Sequence, residues 1–146
     1  MRMPLISVEC LETTKKENDT ILKVDVQQHT DYIEFIVTGT YDLRSAIEKF
    51  PLVIMACRQT GLSKALIDYR TLAGDILITE ELLYAYRAGG IYKEHLSSGG
   101  QPLKIAFVSK EILTYKGGEA VGQTYGAEVL VTGDYQEAVD WLCDQK

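Results

Sequence analysis

The residues best suited to chemistry in this sequence are Asp68 and Arg70, which stand two positions apart. They follow the stretch 64–67, Lys-Ala-Leu-Ile, which is typical of a buried β-strand. Where the strand extends to Arg70, both side chains point to the same side, because side chains alternate along a strand. Such a pair either binds a carboxylate or phosphate through its guanidinium, or forms a structural ion pair.

Further candidates for ligand or partner binding lie close by in the chain. Thr71 offers a hydroxyl group, and Asp75 lies in a predicted loop, 72–79. Tyr84 and Tyr86 follow in the next predicted helix, in a chain with nine tyrosines. Tyrosine is amphipathic and is common at interfaces, so this helix is interpreted either as a partner or dimer surface or as a partly buried face.

Motifs for catalysis, metal binding or cofactor binding are not recognisable, and we expect none of these functions. His29 and His95 are predicted to be ordinary exposed residues, because no set of further metal ligands accompanies them. Gly117, Gly118 and Gly122 match neither GxGxxG nor a P-loop, so they are predicted to let a short helix pack closely. Cys57 and Cys143 are interpreted as small core residues.

The overall composition argues against several classes of protein. The formal net charge of -6 gives no basic footprint for nucleic acid. Three widely spaced cysteines indicate a reducing cytoplasm and not a disulfide framework. The longest apolar run, 52–57, is too short to span a membrane, and no signal peptide is expected. We expect one domain over 1–146, with 1–20 forming an extra edge strand (6–11) and a polar loop.

The strands that must position these residues are recognised by their β-branched and aromatic residues. The first two are predicted to form an antiparallel hairpin, because their connection is short. The predicted strands are 21–26, 32–39, 64–70, 103–108 and 127–132.

The first predicted helix begins at a cap on Asp42 and ends at Gly61, with apolar residues at spacings of three and four. Pro51 predicts a kink or a restart within it, because proline lacks an N–H group and crowds the preceding turn.

The second predicted helix runs from Glu80 to about Leu96. Its glutamates Glu80 and Glu81 suit the helix dipole, and Leu82, Tyr86 and Leu96 fit one face. The pair Gly89–Gly90 indicates either close packing or a break.

A weak third helix is predicted over 111–125. A fourth is predicted after the cap Asp134, with Ala138, Trp141 and Leu142 on its inner face. The element order β-β-α-β-α-β-α-β-α predicts an α/β fold with a mixed, mostly parallel sheet of about five strands.

This order and these residues resemble the STAS-like domains, and within them the SpoIIAA-like branch of small stand-alone bacterial proteins. The resemblance runs from about Ile21 to Leu142. The matching segments are the strand 32–39, the proline-containing helix, the Asp-x-Arg ending of 64–70, the strand 104–108, and the tail 126–129 with 137–142.

The resemblance implies a non-enzymatic regulatory or binding module that acts on a protein partner. Anti-sigma-factor antagonists of this type carry a phosphorylatable serine directly after the strand-ending aspartate. Here Tyr69 and Arg70 follow Asp68, and Thr71 is the nearest hydroxyl, so that phospho-switch is not expected. The SpoIIAA-like branch is also compared with lipid-binding domains, which implies an apolar-ligand pocket.

Three hypotheses follow. The first is a module that binds a protein partner or a small apolar or anionic ligand at the end of the 66–68 strand, the loop 70–79 and the start of the second helix. The second is a hydrolase or transferase that uses Asp68 and a nearby tyrosine. The third is a homodimer that pairs through a sheet edge or the tyrosine-rich helix.

Overall fold

The computed structural model describes residues 22–74, 76–109 and 117–144. The predicted edge strand 6–11, the loop 12–20, the candidate Asp75 and the first part of the predicted third helix lie outside the described residues. The strands are β1 (Leu22–Gln28), β2 (Ile33–Gly39), β3 (Lys64–Asp68), β4 (Lys104–Val108) and β5 (Glu128–Thr132). The helices are α1 (Leu43–Thr60), α2 (Ile78–Ser97), α3 (Gly117–Thr124) and α4 (Tyr135–Cys143).

The five strands form one sheet in which the spatial order equals the chain order. β1 pairs with β2 in the antiparallel direction, and every later pair is parallel. The predicted α/β fold with a mixed, mostly parallel sheet is therefore confirmed. In the parallel register Ile36, Asp68, Val108 and Thr132 stand side by side, which aligns the carboxyl ends of β3, β4 and β5.

The two faces of the sheet are covered differently. On one face, α1 and α2 pack with residues such as Phe35, Ile67 and Ile105 in the larger core cluster, and α3 packs beside them against α2 and β5. On the other face, Leu66 and Val108 pack beneath α4 in a smaller cluster. Alternation of side chains along each strand separates these two sets of residues.

Helix α1 begins and ends as its sequence predicts. The Asp42 carboxylate accepts a hydrogen bond from the Ser45 N–H at 2.9 Å, and Gly61 has a φ of 79°, the left-handed conformation that glycine adopts easily. The predicted restart at Pro51 is wrong, because the helix continues through this residue. Buried residues on either side, Phe50 and Val53, bind this part of the helix to the core, and their burial offsets the lost hydrogen bond.

Helix α2 is continuous through Gly89 and Gly90, so the predicted break is wrong and close packing is the explanation for one glycine. A β-carbon at Gly89 would overlap the ring of Tyr125, whereas one at Gly90 would meet no atom within 4 Å. The predicted face is also wrong in part, because Tyr86 is 54% exposed. Among the residues of α2 whose burial the structure describes, the buried positions are instead Ala88, Gly89, Tyr92 and His95.

The last two helices confirm two local predictions. A β-carbon at Gly122 would lie 2.7 Å from the Val129 side chain, so this glycine brings α3 close to β5. The Asp134 carboxylate caps α4 by accepting hydrogen bonds from the N–H groups of Gln136 and Glu137 at 2.9 and 3.2 Å. The Glu137 side chain is hydrogen-bonded to the Thr132 hydroxyl.

Candidate functional site

An apolar cavity of about 100 Å³ lies between α2, α3 and the face of β4 and β5. Its walls are mostly hydrocarbon: Phe107 and Ile105 come from β4, and Val129 and Val131 from β5. Tyr125, after α3, closes another side. The cavity thus lies within the layer between helices and sheet, where an apolar molecule would be removed from water.

Small residues on α2 create this space. Ala85, Ala88 and Gly89 are the parts of the helix that line the cavity along its middle turns. These residues leave little side-chain volume between the helix and the sheet. The close approaches at Gly89 and Gly122 hold α2, Tyr125 and α3 together around the space.

Glu81 lines the same cavity from the first turn of α2. Its Oε1 is buried and has no hydrogen-bond partner, the single such side-chain atom among the described residues. Its Oε2 faces Gly118, lying 3.2 Å from the position that a β-carbon there would take. Burial raises the pKa of the Glu81 carboxyl, because loss of water disfavours the charged form.

Three tyrosines line the cavity near Glu81: Tyr41, Tyr69 and Tyr84. The hydroxyls of Tyr69 and Tyr84 share a hydrogen bond. Burial raises the pKa of Tyr69 to about 12 and that of Tyr84 well above its usual range. The pKa of Tyr41 is raised by burial and then by neighbouring groups that include Glu81. These hydroxyls therefore stay neutral near pH 7 and act as hydrogen-bonding groups.

The aromatic rings fix these hydroxyls in place. The Tyr84 ring meets Phe50 and Phe107 edge-on, with centroid distances of 6.2 and 6.0 Å. Tyr69 also packs against Phe107, at 6.2 Å. Edge-to-face contacts of this kind stabilise one orientation of each ring. The cavity therefore combines rigid apolar walls with one polar end, the arrangement of a small-molecule site.

A second polar cluster lies on the other face of the sheet, around the predicted candidates Asp68 and Arg70. Asp68 is 5% exposed, and Arg70 binds both of its oxygens, through Nε at 3.0 Å and Nη2 at 2.9 Å. The Arg70 N–H also donates to Asp68 at 2.9 Å. The guanidinium carbon lies 4.5 Å above the centre of the Tyr135 ring, at the start of α4. The pair therefore joins the end of β3 to α4.

The cluster continues to the buried carboxylate of Glu34 on β2. The Tyr135 hydroxyl donates to Glu34 Oε1 at 3.0 Å, and His29 Nε2 lies 2.8 Å from the same oxygen. The His29 ring is stacked on Tyr32 at 4.4 Å. His29 is thus a partly buried member of this network.

The prediction that His95 is exposed is wrong. This residue is 5% exposed; Arg58 Nε donates to its Nδ1 at 3.3 Å, and its Nε2 lies 2.8 Å from the Gln101 carbonyl oxygen. These contacts join α1 to the end of α2 and give the histidine a structural place. Within the described ranges, no three potential ligands are grouped so that they could hold a metal ion.

The predicted site residues are divided between the two faces. Asp68 and Arg70 lie together beneath α4, and Thr71 is exposed next to them. Tyr84 lines the cavity on the opposite face, and Tyr86 points away from the core. The sequence interpretation missed Glu81, which had only a helix-dipole role. Its position in the sequence could have indicated that it faces the cavity, because Glu81 lies on the same helical face as Ala85 and Ala88, at spacings of four and three residues.

No helix in the described part of the chain is long and apolar enough to cross a membrane. The sequence matches no protein-family model and no curated protein. The structure is similar to that of an uncharacterised protein of the DUF3478 family with a SpoIIAA-like fold from Shewanella loihica PV-4. The two share 21% sequence identity, with a TM-score of 0.48, and the similarity covers 84% of this chain and 93% of that one.

Proposed function

We propose that this protein is a non-enzymatic, cytoplasmic binding module of STAS-like type that holds a small, largely apolar ligand between α2, α3 and the sheet. The observation that carries the proposal is the cavity of about 100 Å³ with hydrocarbon walls. Packed protein interiors contain few voids larger than a water molecule, so a space of this size needs a reason. An apolar ligand would restore the dispersion contacts that the lining side chains lack.

The volume sets the size of the ligand. An engineered apolar cavity of roughly 150 Å³ stays dry and binds benzene. The cavity described above is of the same order, and it is partly open to solvent. A single ring or a short alkyl chain therefore fits within it, with any further part of the ligand extending outwards.

The enzyme hypothesis requires a carboxylate that is available to a substrate. Both oxygens of Asp68 are bound by Arg70, and the residue is buried. A reaction at Asp68 would first have to break this ion pair. The same pairing engages the guanidinium that an anionic ligand would need, which favours the cavity over Arg70 as the binding site.

The test is whether toluene binds in the cavity. We expect toluene to raise the melting temperature of the wild-type protein, because a ligand that binds only the folded state stabilises it. The variant Ala88→Leu places three extra carbons in the space and should remove this effect. Ala120→Leu, on the exposed side of α3, adds the same carbons elsewhere and should keep it.

Equal responses to toluene in the two leucine variants would contradict the proposal, since they would place any binding outside the cavity. No toluene response in the wild-type protein, measured up to the solubility of toluene, would contradict it as well.

The second candidate function is homodimerisation through the outer face of α2. Leu83 and Tyr86 are 53% and 54% exposed and lie three residues apart on one side of the helix. Burying both would remove apolar surface from water. Light scattering at micromolar concentration tests this directly: a dimer that dissociates in Tyr86→Lys supports it, and a wild-type monomer contradicts it.

A further inference from the structure

We infer that the ligand is a small apolar amine whose ammonium group donates a hydrogen bond to Glu81 at the polar end of the cavity. The inference rests on the proposed function and specifies the chemistry of its ligand. It is carried by the unpartnered carboxylate oxygen, by the charges around it and by the apolar walls beyond it.

Glu81 Oε1 is buried without a hydrogen-bond partner among the described residues. Leaving a buried acceptor unpaired is unfavourable, and more so for a charged group. A ligand that brings a donor to this atom removes that cost, whereas a purely hydrocarbon ligand leaves it in place. The site therefore selects for a donor in the ligand.

The charged groups around the polar end of the cavity are acidic. Besides Glu81, the carboxylates of Glu80 and Asp42 are near enough to disfavour a phenolate at Tyr41, which lines the cavity. The polar end is therefore electronegative. A cationic head group is attracted to it, and a carboxylate head group is repelled.

The carboxylate of Glu81 lies at one end of the apolar walls of the cavity. Glu81 lies in the first turn of α2, and the apolar lining from Ala85, Ala88 and Gly89 follows in the next two turns. A ligand with its ammonium at Glu81 therefore has its hydrocarbon part against these small residues. An amine with one ring satisfies both ends of the site.

The experiment compares three probes with the same ring: toluene, benzylamine and benzoate. Binding to the full-length protein is followed at pH 7 by NMR of the backbone amides of Ala88 and Gly89. We expect benzylamine to bind at least about tenfold more tightly than toluene, because hydrogen bonds to charged groups are the stronger ones. Benzoate is expected to bind more weakly than toluene.

The variant Glu81→Gln keeps the shape of the side chain and removes its charge. It should weaken benzylamine binding by about tenfold and leave toluene binding unchanged. Glu94→Gln is the matched control, because it makes the same change at an exposed position near the other end of α2, outside the residues that line the cavity. It should change benzylamine binding by less than about twofold.

The outcomes separate the two proposals. Toluene binding without a preference for benzylamine, or an unchanged benzylamine affinity in Glu81→Gln, overturns the amine inference and leaves the binding function standing. Equal losses in the Glu94 and Glu81 variants also overturn it, since they show only the general field of the protein. Absence of toluene binding in every form of the protein overturns the proposed function itself.

Discussion

Arg70 neutralises a buried charge while remaining 42% exposed through its side chain. The planar guanidinium matches both oxygens of Asp68, and its outer surface lies on the ring of Tyr135. The arginine thereby binds the carboxylate and packs against α4 at once. Lysine could provide the charge but neither the fork of donors nor the flat surface.

Replacing Arg70 with alanine is predicted to lower the free energy of unfolding by about 1–3 kcal/mol, because the buried Asp68 side chain would lose two hydrogen-bond donors. Urea unfolding at pH 7 measures this. Arg44→Ala, which removes an exposed arginine from α1, is the control and should change stability by less than about 0.5 kcal/mol. An equally small loss for Arg70→Ala would mean that the ion pair contributes little.

Glu81 gives the stability of the protein a pH dependence of known sign. Burial raises the pKa of its carboxyl in the folded state, so the folded protein holds this proton to higher pH than the unfolded chain does. The contribution of Glu81 to stability is thus fully present below the unfolded pKa, about 4.3. It is lost as the pH rises through the raised folded-state pKa.

Glu81→Gln should therefore stabilise the protein relative to wild type more at pH 7 than at pH 4. Chemical unfolding of both proteins at the two pH values measures the difference. If the difference in unfolding free energy between the variant and wild type does not increase from pH 4 to pH 7, the folded-state pKa of Glu81 is not raised.

At the level of elements, the two adjacent glycines of α2 have opposite packing environments. Gly89 faces the ring of Tyr125, whereas Gly90 faces open space. Alanine is intrinsically more favourable than glycine in a helix by about 1 kcal/mol. Helix propensity therefore favours glycine-to-alanine substitution at both positions, whereas packing opposes it at Gly89.

Gly90→Ala is predicted to stabilise the protein by up to about 1 kcal/mol. Gly89→Ala should destabilise it by about 1–3 kcal/mol, because the Tyr125 ring would have to move. Thermal unfolding of the two variants side by side checks both signs. A stabilising Gly89→Ala would indicate that the ring moves at little cost.

The elements themselves were largely predictable because they depend on local rules. Asp42 and Asp134 cap their helices as their sequence positions indicate, and the mostly parallel sheet follows from the alternation of strands and helices. The restart at Pro51 and the exposure of His95 were predicted wrongly, because tertiary packing outweighs a local penalty at the first residue and buries the second. The resemblance implied an apolar pocket, but the position and lining of the cavity could not be predicted, since they depend on how far small residues on α2 lie from β4 and β5.

At the level of the whole molecule, the two faces of the sheet have separate tasks. The face under α1, α2 and α3 contains the cavity, and the face under α4 contains the ion-pair network and the smaller core. The strands of the sheet separate the cavity from the ion-pair network. We therefore expect stability on the α4 face and binding in the cavity to respond independently to substitution.

Leu142→Ala tests this separation. Leu142 is a fully buried residue of α4, so its truncation should lower the free energy of unfolding by about 2–5 kcal/mol. The affinity for toluene, measured by the amide shifts of Ala88 and Gly89, should change by less than about twofold. A larger change in affinity would show that the two faces are coupled through the sheet.

The order of strands also governs how this chain can fold during synthesis. Each strand pairs with the one made just before it, so β1 to β5 can join the sheet in the order in which they are made. Each parallel pairing closes a segment of chain that contains one helix. Helix α4 follows all five strands, and Leu66, Ala106 and Val108 lie beneath it. Until α4 has been synthesised, this apolar face lacks the helix that covers it, and we expect chaperones to bind the nascent chain there.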